Sequence, residues 1–365
     1  MKISVIANTK TDSETFGFIF PIAELDVVSK IIVFGENHLQ EHDKVEYSVD
    51  KIKNPKIIKL FFRLLNIIKN SRKCDFIIGI YEVPHGFFAY MAGLLLKKKS
   101  ILCIIGNPAY SLRRKGLRKR LLDIMISRMD ATTITGSRSK AYLEEIGHKP
   151  EKLFVLPNSI NLSIFKCLES QKKYDIISLG QLNPEKELIN MLRVILLVKN
   201  IIKDIKFGVA GSGPELENIK SFVGNHGLSE SVDVLGYVKD KIGFYNSGKL
   251  FLLTSSTEGL PRTIIESMSC GTPCISSNVG DISDLIIDDE TGFLVENFND
   301  IERYASIIVY LLNNEAKRKE ISQKAMEYVG KEYSHLAASK FWEYLFNNLK
   351  NNCNSRNLKP FANIQ

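Results

Sequence analysis

Residues 250–266 read LFLLTSSTEGLPRTIIE. They begin with an apolar run, continue with small polar residues and contain two glutamates. The run 250–253 is typical of a buried parallel strand, and Pro261 fits the first turn of a helix. Glu258 and Glu266, with seven residues between them, are therefore predicted to lie at a strand-to-helix junction. Ligands of open α/β sheets bind at such junctions, because strand ends and helix N-termini converge there. Backbone amides that can bind phosphates and carboxylates that can bind hydroxyls would both be present at this junction.

This stretch, continued by SMSCGTP in residues 267–273, closely resembles the retaining, GT-B-fold glycosyltransferases of family 4. In that family the first glutamate lies by the donor sugar and its diphosphate, and the second binds the nucleotide ribose. The resemblance implies a catalytic role for Glu258 and a donor-binding role for Glu266. The other donor-binding residues that it implies within the motif are Gly259, Leu260, Pro261 and Arg262.

Length and composition favour a globular chain of two domains. The 365 residues exceed what one hydrophobic core usually serves, and 44% are hydrophobic while 25% are charged.

Six cysteines lack zinc-type or disulfide-framework spacing, which favours reduced, buried thiols. The apolar start is too short for a signal peptide, and no run approaches the ~20 apolar residues of a membrane span. We expect a cytoplasmic protein, with a peripheral position on the inner face of the cytoplasmic membrane as an open alternative.

Apolar strand-like runs alternate with helical patterns, which predicts parallel sheets with crossover helices. The predicted strands are residues 2–7, 30–34, 75–80, 100–105, 131–135, 152–156, 174–179, 205–210, 232–235, 250–253 and 273–276. The pattern restarts after the polar stretch 169–173, so we expect Rossmann-like domains in residues 1–170 and 171–335. The resemblance implies an α/β, GT-B fold in which two doubly wound domains face a central cleft. In this fold the first domain would bind the acceptor and the second would bind the nucleotide sugar. It also implies that helix 336–350 packs on the first domain, and we expect a flexible tail over 351–365.

A second loop, LGQLNPEK in residues 179–186, follows a predicted strand and opens a helix. Lys186 is placed to reach a diphosphate over the strand end, and the resemblance implies a catalytic role for it. Relatives usually have an arginine where this chain has Gln181 in the donor site. Charge-assisted contacts are about twice as strong as neutral ones, so weaker donor binding or an unusual donor is expected. Arg262 is a candidate to compensate, and a surface position is the alternative for it.

Two further turns correspond to donor-binding loops of the family. Gly211 and Gly213 follow a predicted strand and start a helix, so the backbone there would approach a ligand closely; a tight turn alone explains the two glycines equally well. Tyr237 and Val238 correspond to the loop whose backbone contacts the nucleobase in relatives.

The N-terminal half resembles the family less. Relatives commonly have a histidine facing the cleft after the strand that corresponds to residues 100–105, where this chain has Gly106 and Asn107. Asn107 and His85, which both follow predicted strands, are the candidates for the acceptor side. A structural role is the alternative for His85.

Basic residues are concentrated in the first half of the chain. Residues 1–170 contain 27 Lys and Arg against 17 Asp and Glu, whereas residues 171–365 contain 22 against 24. The clusters KKK at 97–99 and RRKGLRKR at 113–120 would suit an anionic membrane surface, and a solvated basic face is the alternative. Nucleic acid is not expected as a partner, because no aromatic-interleaved basic element or binding motif accompanies the charge.

The helix predicted over residues 54–70 has one narrow polar stripe on a broad apolar cylinder. Lys59, Arg63, Asn66 and Asn70 form that stripe. Two interpretations compete: a core helix with one wet edge, and a helix that inserts into a lipid monolayer.

The resemblance implies transfer, with retention, from a nucleotide sugar (a UDP-sugar is favoured) to a glycan or lipid-linked acceptor in cell-surface polysaccharide or glycolipid synthesis. Lys186 and helix N-terminal amides would meet the charge that grows on the departing diphosphate. No Asp-x-Asp pair occurs, so no metal or cofactor is expected. The alternative is a catalytically weak or inactive relative that binds nucleotide sugar or acts as a scaffold, which Gln181 and the missing histidine support. A dehydrogenase is disfavoured because no Gly-x-Gly-x-x-Gly turn follows the first strand.

Overall fold

The computed structural model describes residues 1–7, 12–38, 41–49, 56–113, 116–169 and 171–351. The chain forms two compact units, one comprising residues 1–159 with the final helix and the other comprising Ile160–Ser334. The tail expected over residues 351–365 lies, from residue 352 onward, outside the described residues.

The first unit contains a parallel sheet of seven strands in the order β3-β2-β1-β4-β5-β6-β7. Its strands are β1 (Lys2–Ile6), β2 (Lys30–Gly35), β3 (Val45–Val49), β4 (Phe76–Ile80), β5 (Lys99–Cys103), β6 (Ala131–Ile134) and β7 (Leu153–Val155). Its helices before the second unit are α1 (Asp12–Ala23), α2 (Lys56–Ser71), α3 (Phe87–Leu96), α4 (Pro108–Arg113), α5 (Leu117–Arg128) and α6 (Ser137–Glu145). Helices cover both faces of the sheet, so the central strands are buried on both sides.

The second unit repeats this plan with six parallel strands in the order β10-β9-β8-β11-β12-β13. The strands are β8 (Tyr174–Leu179), β9 (Phe207–Ala210), β10 (Val232–Gly236), β11 (Gly248–Leu253), β12 (Cys274–Ser277) and β13 (Gly292–Val295). The helices are α7 (Leu188–Ile201), α8 (Leu216–Asn225), α9 (Lys241–Asn246), α10 (Arg262–Ser269), α11 (Ile301–Asn313) and α12 (Glu315–Glu332). This strand order is that of a doubly wound, Rossmann-type sheet.

The last helix, α13 (His335–Asn351), belongs to the first unit and packs against α1. Trp342 is buried there, and the Phe346 ring lies 4.7 Å from that of Phe76 on β4. The Ser339 hydroxyl also donates to the Pro21 carbonyl at 2.8 Å. The helix therefore completes the core on one face of the first sheet.

The division between the units falls at residues 159 and 160, whereas the sequence places it near residue 170. Residues 160–168 already attach to the second unit: Ser269 Oγ donates to the Phe165 carbonyl at 2.7 Å, and the Leu168 amide donates to Asn246 Oδ1 at 2.7 Å. The polar stretch at 169–173 lies within the second unit, after its first contacts. A polar composition marks exposure, but hydrogen bonds decide to which unit a segment belongs.

Two strands, β3 and β13, were absent from the sequence prediction. β3 is the last strand at its edge of the first sheet and only partly buried, so it lacks the apolar run by which the other strands were recognised. β13 also ends its sheet, and it follows a turn that closes on itself through Asp288 and Gly292. Partial burial weakens the pattern of β3, whereas β13 is largely buried and its burial does not explain why it was missed.

The wet polar edge predicted for α2 is contradicted at Arg63 and Asn66, which face the first sheet, whereas Asn70 is exposed and the side chain of Lys59 lies outside the described residues. Arg63 is only 4% exposed, and its guanidinium donates to the carbonyls of Phe34 at 3.2 Å and Ala7 at 3.5 Å. Asn66 donates to Ser48 Oγ at 2.9 Å. Arg63 therefore adds a donor at the ends of β1 and β2, where the Phe34 carbonyl also accepts from the Ala7 amide at 3.1 Å.

Four of the thiols behave as the sequence predicts. Cys74, Cys103, Cys270 and Cys274 are buried and free, and burial raises the pKa of the last three to about 12. Cys167 is also free but exposed. Within the described ranges, no helix combines the length and the apolarity that a bilayer crossing requires.

Candidate active site

The second sheet has a switch point where the strand order reverses, between β8 and β11. The loops after β8 and β11 lead to helices on opposite sides of this point. A space for ligands therefore opens beyond the carboxyl ends of these two strands. Lys186 follows β8, and Glu258 follows β11. The two residues proposed from sequence as catalytic therefore meet at the position where this architecture binds ligands.

Lys186 and Glu258 form an ion pair with 2.5 Å between Lys186 Nζ and Glu258 Oε1. Their side chains are 19% and 11% exposed, so solvent screens the pair only in part. The Ser255 hydroxyl donates to the same carboxylate oxygen at 2.7 Å. A cation and a carboxylate are thus held side by side, with an edge of each accessible.

Backbone hydrogen bonds fix the two loops that carry this pair. The Ser256 amide donates to the Glu185 carbonyl at 2.9 Å. Thr254 Oγ1 donates to the carbonyls of Lys186 and Glu187, each at 3.2 Å. Glu187 itself has a left-handed backbone, φ 50° and ψ 46°, which turns the chain into α7. Because both loops are tied together, the position of Lys186 is set before any ligand arrives.

Glu266 lies on α10, one turn below the start of the helix, and is 4% exposed. The Tyr245 hydroxyl donates to Glu266 Oε2 at 2.9 Å, and Arg262 Nε lies 3.7 Å from Oε1. Burial and the neighbouring Glu266 carboxylate raise the pKa of Tyr245 well above its usual value, so the phenol stays a donor. The carboxylate is therefore held in one orientation, and Arg262 is part of this cluster rather than a surface residue.

The glycines of the turn after β9 serve chain packing. A Cβ on Gly211, whose φ is +150°, would lie 1.8 Å from the Gly180 carbonyl oxygen, and one on Gly213 would lie 2.4 Å from that of Leu182. The Leu182 amide also donates to the Ser212 carbonyl at 2.9 Å. The close packing of this turn against the loop after β8 requires glycine at both positions, and their approach to a ligand stays a prediction.

The remaining donor-side candidates differ in their exposure and in the groups that they can offer to a ligand. Gln181 is exposed and its Oε1 accepts from Asn183 Nδ2 at 3.2 Å, and Tyr237 is 75% exposed. Val238 packs on the core, where Leu260 is also buried. Pro261 is buried as well, and its nitrogen carries no hydrogen to donate.

Gly259 takes part through its backbone. Its carbonyl accepts from the Asp281 amide at 2.9 Å, which links the glutamate loop to the turn after β12. A Cβ on Gly280 in that turn would lie 2.1 Å from the Glu258 carbonyl oxygen. The close approach of the two turns therefore depends on glycine at this position.

Two residues of the site were missed from sequence. Ser255 stands within the recognised motif, and its hydroxyl side chain next to a glutamate was a usable signal. Tyr245 lies on α9, 21 positions before Glu266, and nothing in its local pattern marks it. Only the fold brings these two side chains together.

His85 and Asn107 both follow strands of the first sheet at its carboxyl edge. Asn107 Oδ1 accepts from the Ala109 amide at 2.9 Å and so begins α4. Glu82 and Val83, which precede His85 in the chain, line a cavity of about 180 Å³ together with Tyr110, Ser111, Arg118 and Leu122. The Ser111 hydroxyl donates to Glu82 at 3.2 Å across it. The first unit thus has a recess of mixed polar and apolar lining, formed by residues that neighbour the two acceptor-side candidates in the chain.

Acidification should destabilise the first unit through His85. Burial, assisted by the Arg63 charge, lowers the pKa of His85 from 6.5 to about 4. The unfolded chain therefore binds a proton near pH 6.5 that the folded chain refuses until about pH 4. The contribution of His85 to the free energy of unfolding is therefore fully present above about pH 6.5. It is lost as the pH falls from there to about pH 4, by up to about 3 kcal/mol.

Urea unfolding of wild type and His85→Gln at pH 7 and pH 4.5 measures this loss. The glutamine variant should lose less stability than wild type on acidification. His226→Gln, a change at an exposed histidine of the second unit, is the control. Equal acid sensitivity of wild type and His85→Gln would contradict the prediction.

Comparison with known proteins identifies the family of the chain. Residues 159–328 match the model of a family described as Glycosyl transferases group 1. The GalNAc-alpha-(1->4)-GalNAc-alpha-(1->3)-diNAcBac-PP-undecaprenol alpha-1,4-N-acetyl-D-galactosaminyltransferase of Campylobacter jejuni is 30% identical over 74% of this chain and 73% of its own length. The UDP-Gal:alpha-D-GlcNAc-diphosphoundecaprenol alpha-1,3-galactosyltransferase of Escherichia coli is 24% identical over 70% of this chain and 72% of its own.

A solved structure extends the likeness over most of the chain. Anabaena Alr3699/HepE, crystallised with UDP and glucose, superposes with a TM-score of 0.81 over 95% of this chain and 99% of its own, at 15% identity. The fold is therefore the α/β, two-domain GT-B fold, as the sequence resemblance implied. The chain belongs to the glycosyl transferases group 1 family, and its activity is that of a glycosyltransferase.

Proposed function

We propose that the protein is a retaining glycosyltransferase that uses a nucleotide sugar, with a UDP-sugar favoured, and needs no metal ion. The acceptor would be a lipid-linked or glycan molecule in cell-surface polysaccharide or glycolipid synthesis. The observation that carries this proposal is the Lys186–Glu258 pair at the switch point of the second sheet, with Glu266 held nearby on α10.

The chemistry of transfer needs charge at two places. Negative charge grows on the departing diphosphate, and the Lys186 ammonium is the cation that would meet it. Positive charge grows on the sugar ring, where Glu258 would offset it. Glu266, oriented by Tyr245, would accept from the ribose hydroxyls. The leaving phosphate can accept the proton of the acceptor hydroxyl, so this scheme requires no catalytic histidine.

The relatives support the choice of substrates. The Escherichia coli enzyme is named for a UDP-sugar donor and a diphosphoundecaprenol acceptor, and the Campylobacter jejuni enzyme for an undecaprenol-linked acceptor. A diphosphate-linked polyprenol is both anionic and lipid-borne. The first unit, which has the basic excess and the recess beside Glu82, is the part that we assign to the acceptor.

Thermal unfolding with a panel of nucleotide sugars tests the proposal. One donor or a few should raise the melting temperature, because a ligand at 100 times its Kd stabilises the folded state by about 2.7 kcal/mol. The matching sugar 1-phosphates, which lack the nucleoside, are the control and should act much more weakly. Absence of stabilisation by every nucleotide sugar would contradict the proposed donor.

Gln181 favours a second candidate, a relative that binds donor without turning it over. An exposed glutamine replaces the fixed charge that relatives place at the phosphates. Transfer or hydrolysis of the stabilising donor separates the two candidates. Product release supports the enzyme, and tight donor binding without any product over long incubation supports the binding protein.

A further inference from the structure

The outward face of α2 is apolar, in contrast to most surface helices. Its polar residue Arg63 is turned toward the sheet, while Leu60, Phe61, Phe62 and Leu65 are exposed, Phe61 at 60%. Soluble proteins rarely place several large apolar side chains together on one exposed helix face. Arg63 cannot simply rotate outward, because it serves the carbonyls at the ends of β1 and β2. The apolar face is therefore fixed outward by the fold.

Two neighbouring helices extend this surface. α2, α3 and α5 cover the same face of the first sheet, where Ile67, Phe88 and Leu122 share one core, and α3 packs against both other helices. On α3 the exposed residues are again apolar, and on α5 Leu117 and Ile124 are exposed beside Arg118, Lys119 and Arg120. We define the outer helical surface by its exposed apolar residues, Leu60, Phe61, Phe62, Leu65, Leu94, Leu95, Leu117 and Ile124.

Cations surround these apolar residues. The exposed ones at or just beyond the ends of the three helices are Lys69, Arg72, Lys73, Lys97, Arg118, Lys119 and Arg120, and Arg113 ends α4 shortly before α5 begins. Residues 56–128 contain 16 lysines and arginines and only three acidic residues. Most of the basic excess of the chain is thus concentrated in the segment that builds this surface.

We propose that the outer helical surface docks on an anionic lipid bilayer. The apolar side chains of α2, α3 and α5 enter the interface between headgroups and acyl chains, and the cations at the helix ends bind the anionic headgroups. A second copy of the chain fits less well, because pairing through this surface would bring two strongly basic faces together. A bilayer supplies both the apolar layer and the negative charge that the surface requires.

The inference deepens the proposed function, since a lipid-linked acceptor is reached most directly by an enzyme that rests on the membrane. Arg118 connects the two, because it lies on α5 and also lines the recess beside Glu82. The two proposals can nevertheless fail separately. Vesicle binding is measured without donor, and donor binding is measured without lipid.

Co-sedimentation with vesicles tests the docking surface. The full chain should bind vesicles of equal parts phosphatidylglycerol and phosphatidylcholine, and bind vesicles of phosphatidylcholine alone much more weakly. F61E/L65E should lower the partition coefficient by at least about tenfold, because two apolar anchors become acidic. K119Q/R120Q should also weaken binding and reduce its dependence on salt, since two headgroup contacts are lost.

L336E is the matched control, because Leu336 is 65% exposed on α13, which packs on the opposite face of the same sheet. It should bind as wild type does, and all variants should melt at the wild-type temperature. Three outcomes would overturn the proposal: no binding of wild type to anionic vesicles, wild-type binding by F61E/L65E, or an equal loss in L336E. A wild-type dimer that F61E/L65E converts to a monomer in sedimentation would overturn it too, and assign the surface to self-association.

Discussion

Replacing Lys186 with alanine should lower kcat by about 10²–10³-fold, the usual cost of removing one group that stabilises charge in a transition state. The lysine lies in the loop after β8 and is held there by Glu258, so another cation could replace it only if the loop moved. Initial rates with the donor found by thermal screening measure the change. Affinity for the donor should fall much less than turnover, because the charge on the diphosphate is greatest as the bond breaks.

The same two strands provide a control for this variant. Lys249 on β11 pairs with Asp175 on β8 at 2.7 Å, at the amino edge of the sheet. Lys249→Ala therefore removes a similar ion pair between the same strands, far from their carboxyl ends. It should leave kcat near the wild-type value. A near-normal kcat in Lys186→Ala, or an equal loss in Lys249→Ala, would remove Lys186 from its catalytic role.

Replacing Glu266 with glutamine should weaken donor binding by about 1–3 kcal/mol, which is the range for losing a charged acceptor in a buried site. The shape of the side chain is kept, but the neutral amide is a weaker acceptor for the ribose hydroxyls. Its partner Tyr245, whose hydroxyl donates to Oε2 at 2.9 Å, would also lose a charged acceptor. Titration calorimetry with the nucleotide diphosphate measures the effect without turnover.

Two further variants define the origin of that loss. Tyr245→Phe leaves the carboxylate in place but removes its orienting hydrogen bond, so donor affinity should fall by less than in Glu266→Gln. Glu217→Gln alters a carboxylate that is 78% exposed on α8 and should change nothing. Unchanged affinity in Glu266→Gln would separate Glu266 from donor binding.

The sequence was most informative where local pattern and fold agree. The apolar run before Glu258 predicted β11, and the loops after β8 and β11 carried Lys186 and Glu258 to the switch point that parallel topology creates. In a parallel sheet, the direction of the chain alone places the loop after each strand at the carboxyl edge of the sheet, where ligands bind. Order along the chain was therefore sufficient to bring these two residues together in prediction.

Other features depended on contacts between distant segments. The inward orientation of Arg63 follows from carbonyls at the ends of β1 and β2, which no pattern within α2 reveals. The Gly180 carbonyl excludes a side chain at Gly211, and this contact between two loops is not visible in the local sequence. Tyr245 reaches Glu266 only because α9 and α10 pack together. Helical periodicity identifies two faces of a helix but cannot by itself show which face meets the sheet.

The segment from Ile160 to Ser334 begins and ends at one place. Ile160 and Ser334 form a parallel bridge, and the Ile160 amide donates to the Tyr333 carbonyl at 3.0 Å. Insertions whose two ends adjoin are tolerated by a host domain, since the host chain need only open at one point. Because its two ends adjoin, the segment 160–334 has the geometry of an inserted domain, and the chain that continues at residue 335 forms the final helix of the first unit.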